Sequence, residues 1–246
     1  MFKKKLYLIG AGSGDPELIT LKAINALKKC DVLLYDMLAD KSLIDYAPTH
    51  CQKIFVGKKK GEHSMAQNMI NELIISSFNE HKTIGRLKGG DPMVFGRAHE
   101  EIEIAQKHGI EVEVIPGISS YSALASKFLL PITKRETSHG FLVITATDYK
   151  TKLVENMEEM GRLNITLIIF MGVHLINEIV DLLKKIRPID TPVGIFQSIG
   201  LPEEKVVVGS LENIIELKEA HKMGSPSLIV VGEVINKATI PTKLLL

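Results

Sequence analysis

The stretch "LYLIGAGSGDPELITLKA" (residues 6–23) drops from a short apolar run into Gly10, Gly12 and Gly14, followed at once by Asp15 and Pro16. Glycines at a strand end let a ligand approach main-chain amides closely, an arrangement used for phosphates. A dinucleotide site needs G-x-G-x-x-G opening directly into a helix, with an acid about twenty residues further on for the ribose. Here the third glycine comes one residue early, and Asp15 places a carboxylate where a pyrophosphate would meet amides and a positive dipole. Asp36, closing "DVLLYD", stands roughly where a ribose-binding acid would. A dinucleotide site, a glycine loop for another cofactor and a plain tight turn all remain open on this stretch.

Two further loops carry chemistry. "RLKGGDPMVFGRAHEE" sets Gly89, Gly90, Asp91 and Pro92 directly after a strand, and "VIPGISSYSA" does the same with Pro116, Gly117, Ser119 and Ser120. Loops at the carboxyl ends of parallel strands are where such sheets bind ligands. Glycines with an acid suit a cationic or hydroxyl-bearing ligand, such as a sulfonium with an amino group, better than a phosphate. The eight histidines show no metal-ligand spacing, and "HEE" at 99–101 lacks the second histidine of a zinc helix, so no metal is expected. Cys30 and Cys51 fit neither a disulfide framework nor a zinc site.

The elements that must position these loops alternate between strand-like and helical. "LYLIG" leads into a helix expected to begin at Asp15, with Leu18, Leu21, Ile24 and Leu27 on one face. "DVLLYD", "KIFVG", "TIGRL" and "VEVIPG" read as strands, with helices through Ile70–Phe78, through Ile102 and Ala105, and from "ISSYSALA" onward. Repeated βα argues for a mostly parallel sheet covered on both faces. The pattern breaks between Pro131 and Ser138, which sets an expected boundary between domains 1–132 and 133–246. Beyond it come "GFLVITA", a helix near Leu153, "TLIIFMG", a helix through Ile176, Ile179, Val180 and Leu183, then "PVGIF", "KVVVG" and "SLIVVGEVI". The fold class is α/β, with two α/β domains and mostly parallel or mixed sheets.

With 246 residues, 45% hydrophobic, the chain can bury full cores. A formal net charge of +1 gives no bulk reason to expect nucleic acid or an anionic membrane as partner. No apolar run approaches membrane-spanning length, and the residues before Gly10 are too few for a signal-peptide core, so a cytoplasmic protein is expected.

Taken together, "LIGAGSGDPELITLKA", "DVLLYDMLA", "IFVGKKKGEHSMAQNMINELI", "RLKGGDPMVFGR", "VIPGISS", "LPITKRE", "IIFMGV", "TPVGIFQ" and "SPSLIVVGEV" resemble the tetrapyrrole methylases along nearly the whole chain. The long "RLKGGDPMVFGR", with "YD" and "VGKK", is similar to the branch acting on uroporphyrinogen III rather than to diphthine synthases or later corrin methylases. The resemblance implies the two-domain class III methyltransferase architecture, an active site in the interdomain cleft and a homodimer. It implies S-adenosylmethionine as donor, S-adenosylhomocysteine as product, and C-methylation of uroporphyrinogen III at C2 and C7 to precorrin-2 by way of precorrin-1, for sirohaem and cobalamin synthesis.

Carried over onto this sequence, the resemblance puts Ser13, Gly89, Gly90, Asp91, Val94, Ser119, Ser120, Met171 and Gly194 at the donor. It makes Asp36 the general base, and Lys58 the proton donor. Lys58 opens a lysine run that would also serve as a solvated face, and Asp36 would also serve as a capping acid. Arg86, Lys88, Arg97, Lys134 and Arg135 are expected to meet the carboxylates of the tetrapyrrole, since guanidinium forks match carboxylates. The chain departs from the family pattern at Ser13, Met37, Ala98, His99, Lys134, Ala146 and Ile199, mostly on the acceptor side. A sister methylase acting on a later corrin intermediate, an NAD-dependent oxidoreductase and a relative that binds without turnover are the alternatives.

Overall fold

In the first five strands apolar residues fill both faces of the inner runs "LYLI" and "VLLY", which is the pattern of a parallel sheet buried between helices. The computed structural model, which describes residues 4–57, 67–241 and 244, places them as β1 (Lys5–Gly10), β2 (Val32–Tyr35), β3 (Gln52–Phe55), β4 (Thr83–Lys88) and β5 (Glu111–Ile115). All pair in parallel, in the order β3-β2-β4-β1-β5. Tyr7, Ile9, Leu33 and Leu87 face α1 (Leu21–Leu27). Leu6, Leu8, Leu34 and Ile84 face α2 (Gln67–Ser77) and α3 (Ala98–Lys107). Each fully buried side chain of this size contributes about 1.5–3 kcal/mol.

The winding of the chain creates a crevice. β1 and β4 are neighbours, with Gly10 opposite Lys88. The chain leaves β1 for the helix on one face and leaves β4 for the helix on the other. Their carboxyl ends therefore form the topological switch point, where loops diverge and leave room for a ligand.

The first helix differs from expectation. Asp15 does cap, its Oδ1 accepting from the Glu17 amide at 2.9 Å, but it caps only a 3₁₀ turn, Pro16–Leu18. Ile19 and Thr20 are extended, and α1 starts anew at Leu21 with the Thr20 hydroxyl accepting from Ala23 N at 3.1 Å. The break rotates the buried face to Ala23, Ala26 and Leu27, and leaves Leu21 80% exposed.

A second compact unit, Tyr121–Leu246, follows the first, Met1–Ser120. Its sheet has the order β6-β7-β10-β8-β9 and comprises β6 (Phe141–Thr145), β7 (Thr166–Phe170), β8 (Pro192–Gln197), β9 (Lys205–Ser210) and β10 (Ser227–Val231). Only β6 and β7 are parallel; the other pairs are antiparallel. One face packs against α5 (Met157–Gly161), α6 (Ile176–Leu183) and α7 (Ile214–Ala220) through Leu167, Ile169, Ile195 and Ile229. The expected helix near Leu153 is α5, which begins only at Met157, because Leu153 forms a β-bridge with Thr147.

The other face packs against α4 (Ser120–Lys127) and the residues after it: Leu124, Phe128 and Leu130 lie among Phe196, Val206, Leu228 and Val230. This explains why the division falls at Ser120 and Tyr121, twelve residues ahead of the 132/133 boundary expected from sequence. The polar break after Pro131 marks the end of a segment whose apolar side chains belong to the second core. Replacing Phe128, fully buried with its ring centroid 5.2 Å from that of Phe196, is expected to cost about 3–5 kcal/mol in Phe128→Ala. A denaturant midpoint unchanged from wild type would contradict this packing.

Candidate functional site at the switch point

Three adjacent strands, β5, β1 and β4, end in loops whose backbones touch. A Cβ on Gly10 would lie 2.6 Å from Gly117 Cα and 2.9 Å from Gly90 O, and one on Gly117 would lie 2.8 Å from Gly10 Cα. Only glycine fits at Gly10 and Gly117. Gly12 and Gly90 form an isolated bridge, with Gly90 N donating to Gly12 O at 2.6 Å, and both take positive φ (80° and 68°). At Gly90 the space is open: a Cβ there would meet nothing nearer than Ser119 Cα at 3.9 Å and Ser120 N at 4.0 Å. Gly89, Gly90, Ser119 and Ser120, expected at the donor, are thus brought to one place, beside a recess that a side chain would fill.

Asp91 ties the recess together. Its Oδ2 accepts from Gly117 N at 3.1 Å and its Oδ1 from Met93 N at 2.8 Å, so the carboxylate locks the β4 loop to the β5 loop. The turn continues with Val94 N donating to Asp91 O at 3.2 Å. Phe95 (φ 54°) and Arg97 (φ 55°) are then both left-handed, a conformation that costs a non-glycine residue about 1–2 kcal/mol. Strain concentrated in a loop is a mark of functional sites. Arg97 is exposed and grips Glu100 with both Nε and an NH2 nitrogen, at 2.7 and 2.9 Å, which holds the Glu100 carboxyl below its ordinary range.

After the first glycine loop the chain occupies two of its own amides, Glu17 N by Asp15 and Ala23 N by Thr20, which weighs against a pyrophosphate there. Ser13, between two left-handed glycines, turns the chain instead, its carbonyl accepting from Asp15 N at 2.9 Å.

Asp36 lies at the end of β2, one strand over from the recess. Its Oδ1 accepts from Leu38 N at 3.1 Å and its Oδ2 from an Arg86 NH2 at 3.3 Å. Arg86 and Lys88, expected to meet the tetrapyrrole, are each 4% exposed and point to the face of α2 and α3. Both cations are held by Glu101, a residue with no exposed surface: Arg86 Nε donates at 3.2 Å, and Lys88 Nζ at 2.9 Å to each carboxylate oxygen. Burial, with Arg86 beside it, lowers the Lys88 ammonium below its ordinary pKa. Sequence reasoning missed Glu101, although a signal was present: two cations alternating with Ile84 on a buried strand face require a carboxylate partner.

Four of the expected residues, Lys134, Arg135, Met171 and Gly194, belong to the second unit. Lys134 and Arg135 are exposed, in the turn bridged from Lys134 to Ser138. Met171 is exposed, left-handed (φ 55°), at the carboxyl end of β7. Gly172 packs there against Ala146, whose Cβ is 3.2 Å from where a Cβ on Gly172 would lie. Gly194 sits inside β8, paired with Val230 and Val208, where a Cβ would press on the Phe196 ring at 2.6 Å. Lys58 lies outside the described residues.

Among the described residues no group of three or more His, Cys, Asp or Glu could hold a metal ion, and no helix is long and apolar enough to cross a membrane. Burial pushes the Cys30 thiol up to about 12 and the Cys51 thiol up to about 11.

A parallel sheet with glycine turns, open space and a carboxylate at its switch point is the α/β arrangement that can take a small molecule over its strand ends. The chain belongs to the family described as Tetrapyrrole (Corrin/Porphyrin) Methylases, which matches residues 5–215. The uroporphyrinogen-III C-methyltransferase of Methanocaldococcus jannaschii is 42% identical over 94% of this chain and 97% of its own length. The siroheme synthase of Psychrobacter cryohalolentis is 36% identical over 94% of this chain, which spans 45% of that longer protein. Among solved structures, the uroporphyrin-III C-methyl transferase of Thermus thermophilus complexed with S-adenyl homocysteine superposes with a TM-score of 0.80, at 37% identity over 95% of this chain and 99% of that one.

Gly117→Ala forces a Cβ into Gly10 and Gly90, and is expected to cost about 1–3 kcal/mol and to weaken donor binding at least about tenfold. Gly109→Ala, at a left-handed position with open space around it, is expected to lose about 1–2 kcal/mol and keep donor affinity. Calorimetric titration of both separates them; equal losses of affinity would contradict the closed turn. For the thiols, the native fold disfavours the thiolate, so their contribution to stability falls as pH rises above the unfolded value of about 8.5. A thiolate-selective disulfide reagent at pH 8 should label the native protein about a hundredfold more slowly than the urea-unfolded chain. Native labelling at the unfolded rate would show that neither thiol is buried.

Proposed function

We propose that this protein transfers the methyl group of S-adenosylmethionine to uroporphyrinogen III, twice in succession, at C2 and C7, giving precorrin-2 by way of precorrin-1. The observation that carries the reading is the switch-point recess beside Gly90, with the Asp36 carboxylate at the end of a neighbouring strand. The similarity to uroporphyrinogen-III C-methyltransferases over nearly the full length of both chains supports it.

The donor supplies an electrophilic methyl on a sulfonium. In the step, an electron pair of the pyrrole carbon forms the new C–C bond, the methyl–sulfur bond breaks, and its pair remains on sulfur. The chain has two tasks. The first is alignment, an entropic contribution of up to roughly 7–11 kcal/mol in ideal cases. Ser13, Gly89, Gly90, Val94, Ser119 and Ser120 would supply it at the donor, with Asp91 holding the two loops in register. The second is removal of the proton that the methylated ring carbon must lose, which falls to an Asp36 oxygen. Arg86 and Leu38 N fix the direction of that carboxylate. Lys58 is the proton donor in this reading.

Exposed Lys134 and Arg135 remain available to substrate carboxylates, and Arg97 would reach one by releasing Glu100. Arg86 and Lys88 would act from inside the fold, since reaching an outside carboxylate means leaving Glu101. The same reading takes the protein as a cytoplasmic homodimer feeding sirohaem and cobalamin synthesis.

Asp36→Asn is expected to bind S-adenosylmethionine as wild type does, and to transfer methyl about 10²–10⁴-fold more slowly. Calorimetry with S-adenosylmethionine and NAD, and anaerobic incubation with labelled donor and uroporphyrinogen III, test the whole reading. Binding of NAD without S-adenosylmethionine, or no transfer by the wild-type protein, would overturn it; undiminished turnover in Asp36→Asn would remove that residue from the mechanism.

A further inference from the structure

Four charged side chains form one connected group on the α2/α3 face of the first sheet. Arg86 bridges Asp36 and Glu101, and its remaining NH1 nitrogen donates to Leu87 O at 2.9 Å. Among the described residues, Lys88 pairs with Glu101 alone. Glu101 Oε1 thus accepts from Arg86, from Lys88 and from Gln67 Nε2, the last at 3.2 Å from the first residue of α2. The group is neutral, with two cations and two anions, and only Asp36 reaches the surface appreciably, its side chain 22% exposed. Among the described residues, other charged side chains nearby stand at the start of α3: Arg97 and Glu100, which neutralise each other, and His99.

We propose that Glu101 is a positioning residue for methyl transfer: by neutralising Lys88 it leaves Arg86 to hold Asp36 as a single ion pair of fixed direction. The inference rests on Asp36 being the base. Buried ion pairs are weak sources of net stability, but removing one partner strands a charge. Here the stranded charge would be Lys88, two residues along β4 from Arg86 and on the same sheet face, over the acid range in which it keeps its proton without Glu101. Asp36 would then face two uncompensated cations rather than one. A carboxylate so placed holds its proton less well and is a poorer base. The glutamine amide oxygen would still offer Arg86 an acceptor, so Glu101→Gln changes the charge while keeping the hydrogen bond.

Three variants carry the test: Glu101→Gln, the double variant Glu101→Gln/Lys88→Met, and Asp36→Asn. In Glu101→Gln, kcat should fall by about threefold to tenfold with the S-adenosylmethionine affinity unchanged. The acid limb of kcat/KM should move down by about one pH unit. The double variant removes one cation with the anion and should bring the acid limb back to its wild-type pH. Glu101→Gln that merely melts earlier, with the limb unmoved, would show a structural role only and overturn the proposal, as would a limb that stays shifted in the double variant. If Asp36→Asn turns over normally, the base assignment itself fails. If Asp36→Asn is slow while Glu101→Gln keeps the wild-type profile, only the positioning role of Glu101 fails. Folding of each variant is checked by its circular dichroism and melting curve; should Glu101→Gln not fold, Glu101→Asp, which keeps the charge, takes its place beside the double variant, and must keep the wild-type limb for the proposal to stand.

Discussion

The first unit depends on a place where three backbones meet with no side chain between them. Gly10 and Gly117 face each other so closely that a methyl group on either would overlap the other or Gly90 O. Close-packed interiors do not absorb such an intrusion cheaply. The contact has a direct use: it brings the ends of β5, β1 and β4 to a common level, and with them Asp91, Ser119 and Ser120. Asp91 then adds a directional lock, its two oxygens shared between the amides of Met93 and Gly117. Steric closure sets the distance between the loops, and the carboxylate sets their register.

The buried charges on the other side of β4 obey a different constraint. Withdrawing Arg86, Lys88 and Glu101 from water is expensive unless each is paired and hydrogen-bonded, and an apolar cluster in their place would be at least as stable. Their presence among Leu34, Ile84 and Ala98 therefore calls for a reason other than stability. The group ends at the one carboxylate that emerges toward solvent, Asp36. A guanidinium that is itself gripped from behind by Glu101 cannot wander, so the Asp36 oxygen it touches is fixed as well.

Much of the fold was legible in the sequence, because strands buried on both faces and amphipathic helices leave simple periodic marks. The places where the reading slipped have local causes. Ile19 and Thr20 break the first helix because Asp15 and Thr20 each offer a cap, and the apolar face counted from Leu18 to Leu27 spans that break. The division at Ser120 was invisible since α4 continues the βα rhythm of the first unit while its apolar side chains, Leu124 and Phe128, pack on strands that come much later in the chain. Glycine loops announced the recess, but sequence could not say that Gly10 touches Gly117. Arg86 and Lys88 were expected to meet substrate carboxylates because they stand next to a glycine loop; their position on a buried strand face, alternating with Ile84, was the sign that they are held inside the fold. The partner they need, Glu101, lies a loop and a helical turn away, a distance that only the folded chain closes.

These two arrangements share one strand. Along β4, Arg86 and Lys88 carry the charged group, Lys88 O accepts from Ala11 N at 2.8 Å, and the next two residues are Gly89 and Gly90. A strand advances about 3.3 Å per residue, so the distance from the cation that orients Asp36 to the recess beside Gly90 is set by covalent geometry to within about 14 Å. No hinge or flexible segment intervenes. In the proposed reading, a methyl donor against Gly90 and a base held by Arg86 would therefore be indexed to the same strand, flanked on both sides by hydrogen-bonded neighbours, β1 and β2. Methyl transfer demands in-line approach on one side of a carbon and proton removal at that same carbon, and such a demand is met best when both groups are referred to a single central strand.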